Sequence, residues 1–133
     1  MLTRSLVIFC LLLVSIISAH AADPVKGEQA FKICMACHMT GSNAKNRIGP
    51  ELNGVVGRKW GSAGGFNYSD NLLAGKNAGK IWDETALNDY LEDPKRLAPE
   101  GKMAFAGVKD VVKREDIIAY LKQFNETGVM KEK

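Results

Sequence analysis

Cys34, Cys37 and His38 stand together in the run Cys34-Met35-Ala36-Cys37-His38. Two thiols at this spacing, with an imidazole directly after, serve three kinds of chemistry. They cycle between dithiol and disulfide, contribute to a zinc site, or attach a haem through two thioethers. A structural zinc site needs four protein ligands. Here three near neighbours would have to be completed by a distant carboxylate, which is not a usual zinc spacing. A redox Cys-x-x-Cys belongs with a βαβ pattern, and no segment of the chain reads as a convincing strand. Haem attachment uses all three residues. Side chains three apart at a helix end point to one side, so both sulfurs reach the vinyl groups along one porphyrin edge. His38, next in sequence, then turns under the ring and offers its imidazole to the iron.

A haem iron takes a second axial ligand, and the candidates are few. The only other histidine is His20, within a segment expected to be removed. Of five methionines, Met1 is also expected to be lost. Met35 and Met39 sit too close to His38 to reach the opposite face, and Met130 lies in a polar tail. Met103 remains, in the Gly/Pro loop Pro99–Gly107. Met/His ligation is the usual arrangement in haem electron carriers, and Met103 is the expected ligand.

The elements that must position these residues are short. Met1–Ser5 carries one positive charge, Leu6–Ile17 is almost wholly apolar, and Ala19-His20-Ala21 supplies small residues. This is a signal peptide pattern over residues 1–21, with cleavage expected after Ala21. A retained anchor is disfavoured, because the apolar run is shorter than the roughly 20 residues a spanning helix needs. Cys10 lies inside that run and is given no role. Residues 22–133 then form one domain, with 18 Lys and Arg less Arg4 against 15 Asp and Glu, a net charge of +2. That is too small to suggest nucleic acid. Asp23-Pro24 marks a helix start, expected to run through Phe31 to about Cys37. A helical turn is expected over Ser69–Ala74. Asp83 caps a further helix ended by Pro94, followed by a loop from Lys95 to Val108. Asp110 starts the clearest helix, with Ile117, Tyr120, Leu121 and Phe124 on one face. Glu126–Lys133 reads as a frayed tail. Between Met39 and Lys80 there is no periodicity. A stretch that long without regular structure needs something else to organise it, and a large bound cofactor would do so.

The segments GEQAFKICMACH, GRKW, GGFNYSD, GKIWDETALNDYLEDPKRLAPEGKMAFAG and REDIIAYLKQF resemble the class I cytochromes c. The likeness is to bacterial secreted members of the cytochrome c2 type, akin to mitochondrial cytochrome c, and runs from about Val25 to Phe124. It implies an all-α domain wrapped around one covalently bound haem c, with the first and last helices crossing. Gly27 would let those helices approach, with Phe31 against Ile117, Tyr120 and Leu121. The resemblance gives Pro50 the role of accepting the second ring N–H of His38. It makes Arg58, Tyr68 and Trp82 donors to a buried haem propionate, and sets Tyr90 near the Met103 sulfur. Phe105 would lie beside the exposed haem edge. Lys32, Lys45, Arg47, Lys95, Arg96, Lys102 and Lys109 would form a basic rim around it. Two residues depart from the family pattern: Leu72, where many relatives are polar, and Trp60.

With both axial positions filled, the iron has no open site, so the expected function is electron carriage and not catalysis. The implied setting is the periplasm, and the implied partners are membrane redox complexes or a periplasmic dehydrogenase or oxidase, met as a monomer. The alternative is a haem enzyme or gas sensor with an open or labile sixth position.

Overall fold

The computed structural model describes residues 20–132. The signal peptide expected over residues 1–21 lies outside them except for His20 and Ala21, as do Cys10 and the final Lys133. Five helices follow in order: α1 (Pro24–Phe31), α2 (Asp70–Asn77), α3 (Glu84–Glu92), α4 (Pro94–Leu97) and α5 (Val111–Lys122). Among the described residues the only β pairing is two isolated bridges, Lys59 with Ile81 and Phe124 with Met130.

Aspartates start four of the helices. The Asp23 carboxylate accepts the N–H groups of Val25 and Lys26 at 2.9 and 3.3 Å, and Pro24 needs no partner for the N–H it lacks. Asp83 caps α3 through Ala86, Asp93 caps α4 through Lys95, and Asp110 caps α5 through Lys113. α1 ends at Phe31, short of the expected Cys37. Beyond it the backbone tightens to i→i−3 bonds, Cys34 N–H to Phe31 O at 2.8 Å and Cys37 N–H to Cys34 O at 3.0 Å. The turn over Ser69–Ala74 extends into a full helix to Asn77. α4 was expected as loop. Pro94, which ends α3, also fits the first position of a new helix.

α1 and α5 cross at Gly27. A Cβ built there would lie 1.9 Å from the Asp116 carbonyl oxygen and 2.9 Å from Tyr120 Cβ, so only glycine allows the approach. Phe31 is buried against Tyr120, ring centroids 5.2 Å apart. Each such aromatic or aliphatic burial contributes about 1.5–3 kcal/mol. α3 packs on α5, and the buried Arg114 ties the pair to the chain between them. Its guanidinium donates to Asn88 Oδ1 at 2.8 Å and to the Val108 and Lys109 carbonyls at 2.8 and 3.0 Å.

The C-terminal tail is folded back, contrary to the expected fraying. The Asn125 side chain accepts from the N–H groups of Thr127 and Val129, both at 2.9 Å, and Lys131 N–H reaches Gln123 O at 2.7 Å. Gly128 (φ +78°) packs so closely on Gly41 that a Cβ would sit 2.2 Å from the Gly41 carbonyl.

The core is hollow. Buried Phe31, Leu87, Leu91, Ile117 and Leu121 wall a cavity of about 410 Å³ on one side, and the long irregular segment closes the other.

Candidate functional site

Cys34, Cys37 and His38 border this cavity. The tight turns after α1 set them there, with His38 N–H also bonded to Cys34 O at 2.9 Å. The two cysteines form no disulfide with each other. Burial, helped by the neighbouring Cys37, pushes the Cys34 thiol up to about 11. The buried His38 ring is fixed from two sides. Its Nδ1 lies 2.7 Å from the Pro50 carbonyl. A carbonyl only accepts, so Nδ1 carries the proton and Nε2 keeps its lone pair. Burial holds the imidazole pKa below its usual value, with the Pro50 bond opposing, which favours the neutral, ligating form. On the other side Gly49 is packed so tightly that a Cβ would fall 2.4 Å from His38 Cε1.

Met103 borders the same cavity. Its loop is tied to neighbours at three successive residues. Glu100 N–H donates to Asn71 Oδ1 at 2.8 Å. The Lys95 ammonium donates to the Gly101 carbonyl. The Lys102 ammonium donates to the Asn67 and Tyr68 carbonyls at 3.1 and 3.4 Å.

Arg58, Tyr68, Trp82 and Tyr90 all line the cavity as well. Arg58 is already engaged: Nη1 bonds Glu51 Oε1 at 2.7 Å and Asn53 O at 3.0 Å, and Nη2 bonds Glu51 O at 2.9 Å. Glu51 is thus its paired acid, a role the sequence did not suggest. The Tyr68 hydroxyl accepts Ala63 N–H at 3.1 Å, which leaves its own proton to donate. Burial raises the pKa of both Tyr68 and Tyr90, so both remain protonated donors. Trp82 stacks on Trp60 at 4.5 Å and packs against Tyr90 at 4.9 Å. Trp60 is buried, donates its indole N–H to Ile81 O at 3.1 Å, and fills the space over Gly75. It supports Trp82 from behind and lies outside the cavity lining.

Among the lining residues that escaped the sequence reading, three stand out. Ser69 stands at the N-cap of α2 yet makes no cap bond. Its hydroxyl is buried without a hydrogen-bond partner among the described residues, at the cavity wall. Such a group costs about 1–3 kcal/mol unless something pairs with it. Ile33 and Ile48 line the mouth while 56% and 80% exposed. Their chemistry gave no signal; only their adjacency to Cys34 and to Gly49-Pro50 could have.

The rim residues do not all stand free. Arg96 pairs with Asp89 at 3.1 Å and Glu92 at 2.9 Å. Arg47 donates to Met35 O and Lys109 to Glu92 O. Lys32 and Lys45 are exposed and form no ion pair among the described residues.

The donor set fits one cofactor. Two thiols, an Nε2 lone pair, a thioether, largely apolar walls and an unpaired buried hydroxyl meet in one cavity. Comparison with known proteins agrees. No family model matches the chain. It is 50% identical to cytochrome c2 of Blastochloris viridis over 117 residues, 88% of this chain and 90% of that one. It is 54% identical to cytochrome c2 of Rhodomicrobium vannielii over 105 residues, 78% and 82% of the two chains. The solved cytochrome c2 of Rhodospirillum centenum superposes with TM-score 0.72 at 42% identity, covering 78% of this chain and 99% of that one.

The chain belongs to the class I cytochromes c.

As a class I cytochrome c it carries one covalently bound haem c and is an electron-carrying haem protein, not an enzyme. Its all-α architecture is that of the family. No described helix of this cytochrome is long and apolar enough to cross a membrane.

Proposed function

We propose that Cys34 and Cys37 would hold haem c through two thioethers, that His38 and Met103 would ligate its iron, and that the mature chain shuttles electrons in the periplasm after cleavage at Ala21. One observation carries this reading. His38 and Met103, far apart in sequence, border a single cavity together with both thiols. Haem c supplies a one-electron iron couple there.

The protein's residues do the rest. Pro50 accepts the Nδ1 proton, which orients the His38 ring and keeps Nε2 as the ligating atom. The Met103 thioether favours the reduced state and so a high potential. Leu72, Leu87 and Leu91 keep water from the walls. Tyr68, Trp82 and the unpaired Ser69 hydroxyl are donors for a propionate out of water, where a carboxylate needs such partners. Arg58, already shared with Glu51, adds positive charge beside them. Tyr90 offers a protonated hydroxyl on the wall of the cavity that Met103 also borders.

At the mouth, exposed Ile33 and Ile48 and half-buried Phe105 give an apolar centre, with Lys32 and Lys45 the least encumbered cations around it. Such a surface docks acidic partners by steering more than by strength. Membrane redox complexes of respiration or photosynthesis, or a periplasmic dehydrogenase or oxidase, are partners of that kind.

Carbon monoxide binding to the reduced wild-type protein at neutral pH tests the ligand set. Little binding is expected in wild type and ready binding in Met103→Ala, with loss of the weak far-red band of a Met–iron bond in the ferric form. Rapid, complete binding to wild type would mean an open site and a gas-binding role.

A further inference from the structure

Asn71 lies outside the cavity lining, on the first turn of α2. Its side-chain oxygen nonetheless accepts the N–H of Glu100 at 2.8 Å, across 29 residues of sequence. Glu100 stands three residues before Met103. The intervening backbone has little freedom of its own. Gly101 is buried, and its N–H is held by Ala98 O at 2.8 Å in a tight turn. Ala98 is wholly buried, so this turn is the fixed pivot of the loop. From Gly101 to Gly107 the chain is irregular. Two direct contacts therefore tether the loop to the α2 side of the cavity: Glu100 to Asn71, and Lys102 to the Asn67 and Tyr68 carbonyls.

The two tethers differ in kind. Lys102 is a flexible ammonium reaching an exposed carbonyl at Asn67 and a part-buried one at Tyr68. Asn71 grips the main chain itself, and its own position is set by a helix that starts at the wall residue Ser69. We infer that Asn71 is a positioning residue for Met103: by holding the Glu100 amide it keeps the loop closed and the thioether aimed into the cavity. This rests on the reading of Met103 as axial ligand. The physical logic is population shift. A loop in equilibrium between closed and open forms excludes competing ligands in proportion to how strongly it is closed. Loss of one such hydrogen bond moves that equilibrium roughly two- to tenfold toward the open form.

The test is imidazole binding to the ferric, haem-loaded full chain, titrated by absorbance in wild type, Asn71→Leu and Asn71→Asp. Leucine removes the acceptor at similar size, whereas aspartate retains it and suits the first turn of a helix. Asn71→Leu is expected to bind imidazole roughly two- to tenfold more tightly than wild type, with Asn71→Asp close to wild type. Equal affinity of Asn71→Leu and wild type, with the far-red band present in both, would overturn the inference and leave the Met103 assignment standing. Absence of that band in wild type would refute the Met103 assignment, and this inference with it. Should Asn71→Leu fail to load haem, amide hydrogen exchange in wild type decides: a protected Glu100 N–H supports the tether, and exchange at the unstructured rate overturns it.

Discussion

Gly49→Ala is the sharpest probe of how the proximal histidine is held. Gly49 is not at positive φ, so alanine meets no backbone penalty there. The effect is then purely one of space. The new Cβ would lie 2.4 Å from His38 Cε1 and 2.8 Å from both ring nitrogens. Ordinary carbon contacts are about 3.5–4 Å, so the ring must retreat by about 1 Å. The Nδ1 bond to Pro50, now 2.7 Å, would stretch to the limit of a hydrogen bond. Losing it costs about 1 kcal/mol, and the crowding itself about 1–3 kcal/mol. The expected loss of stability is therefore about 2–4 kcal/mol, read as a lowered midpoint in guanidinium titration of the haem-loaded protein. The low-spin ferric spectrum should shift as well, because the imidazole is the group displaced. Gly64→Ala is the control: nothing lies within 4 Å of its Cβ and its φ is not positive, so it should be neutral or slightly stabilising. A Gly49→Ala protein matching wild type in midpoint and spectrum would refute the account of a ring clamped between Gly49 and Pro50.

Gly27→Ala should destabilise by about 2 kcal/mol or more, since it forces a methyl into the Asp116 backbone; the same denaturant titration checks this, and the reduction potential should hardly move. Lys32→Glu should slow electron transfer to an acidic partner at low salt, and the difference from wild type should shrink as salt rises. Arg96→Glu should do less, because Arg96 already faces Asp89 and Glu92; equal effects in stopped-flow measurements would contradict the pairing. Asn125→Ala, which removes the acceptor for two tail amides, should cost about 1–2 kcal/mol and raise amide exchange at Thr127 and Val129.

Where local chemistry decides, the sequence was legible. Asp23, Asp83 and Asp110 announce their helices because a carboxylate before an apolar periodic run has one good use there. The spacing of Cys34, Cys37 and His38, and elimination among few methionines for Met103, pick out four residues that the fold brings to one cavity. The failures come from how side chains turn and meet once the chain has folded, whether the partner is near in sequence or far. Pro94 reads as a stop, because whether it also starts a helix depends on the Asp93 carboxylate turning back onto Lys95. The tail reads as frayed because its partner, Gly41, lies far back in the chain. Arg96 reads as a rim cation because its charge is visible and its neutralising neighbours across the α3–α4 corner are not. Ser69 reads only as the start of a helical turn, and the folded chain alone shows its hydroxyl buried and without a partner among the described residues. Arg114 left a trace that could have been used: it lies three and four residues before Ile117 and Ile118, on the buried face of α5.

The crossing of α1 and α5 at Gly27 has a consequence for how the protein is made. These helices are the two ends of the described fold, and the folded-back tail beyond α5 closes onto Gly41 in the segment just after His38. A polypeptide leaves the ribosome amino end first. The Cys34–His38 turn therefore arrives early, while α5, which walls the same cavity, arrives later. Until then the two thiols stand on an uncovered stretch of chain, where the proposed joining to a porphyrin could reach them. The order of delivery thus leaves an interval before closure, and a clasp between α1 and α5 forms only once both have been made.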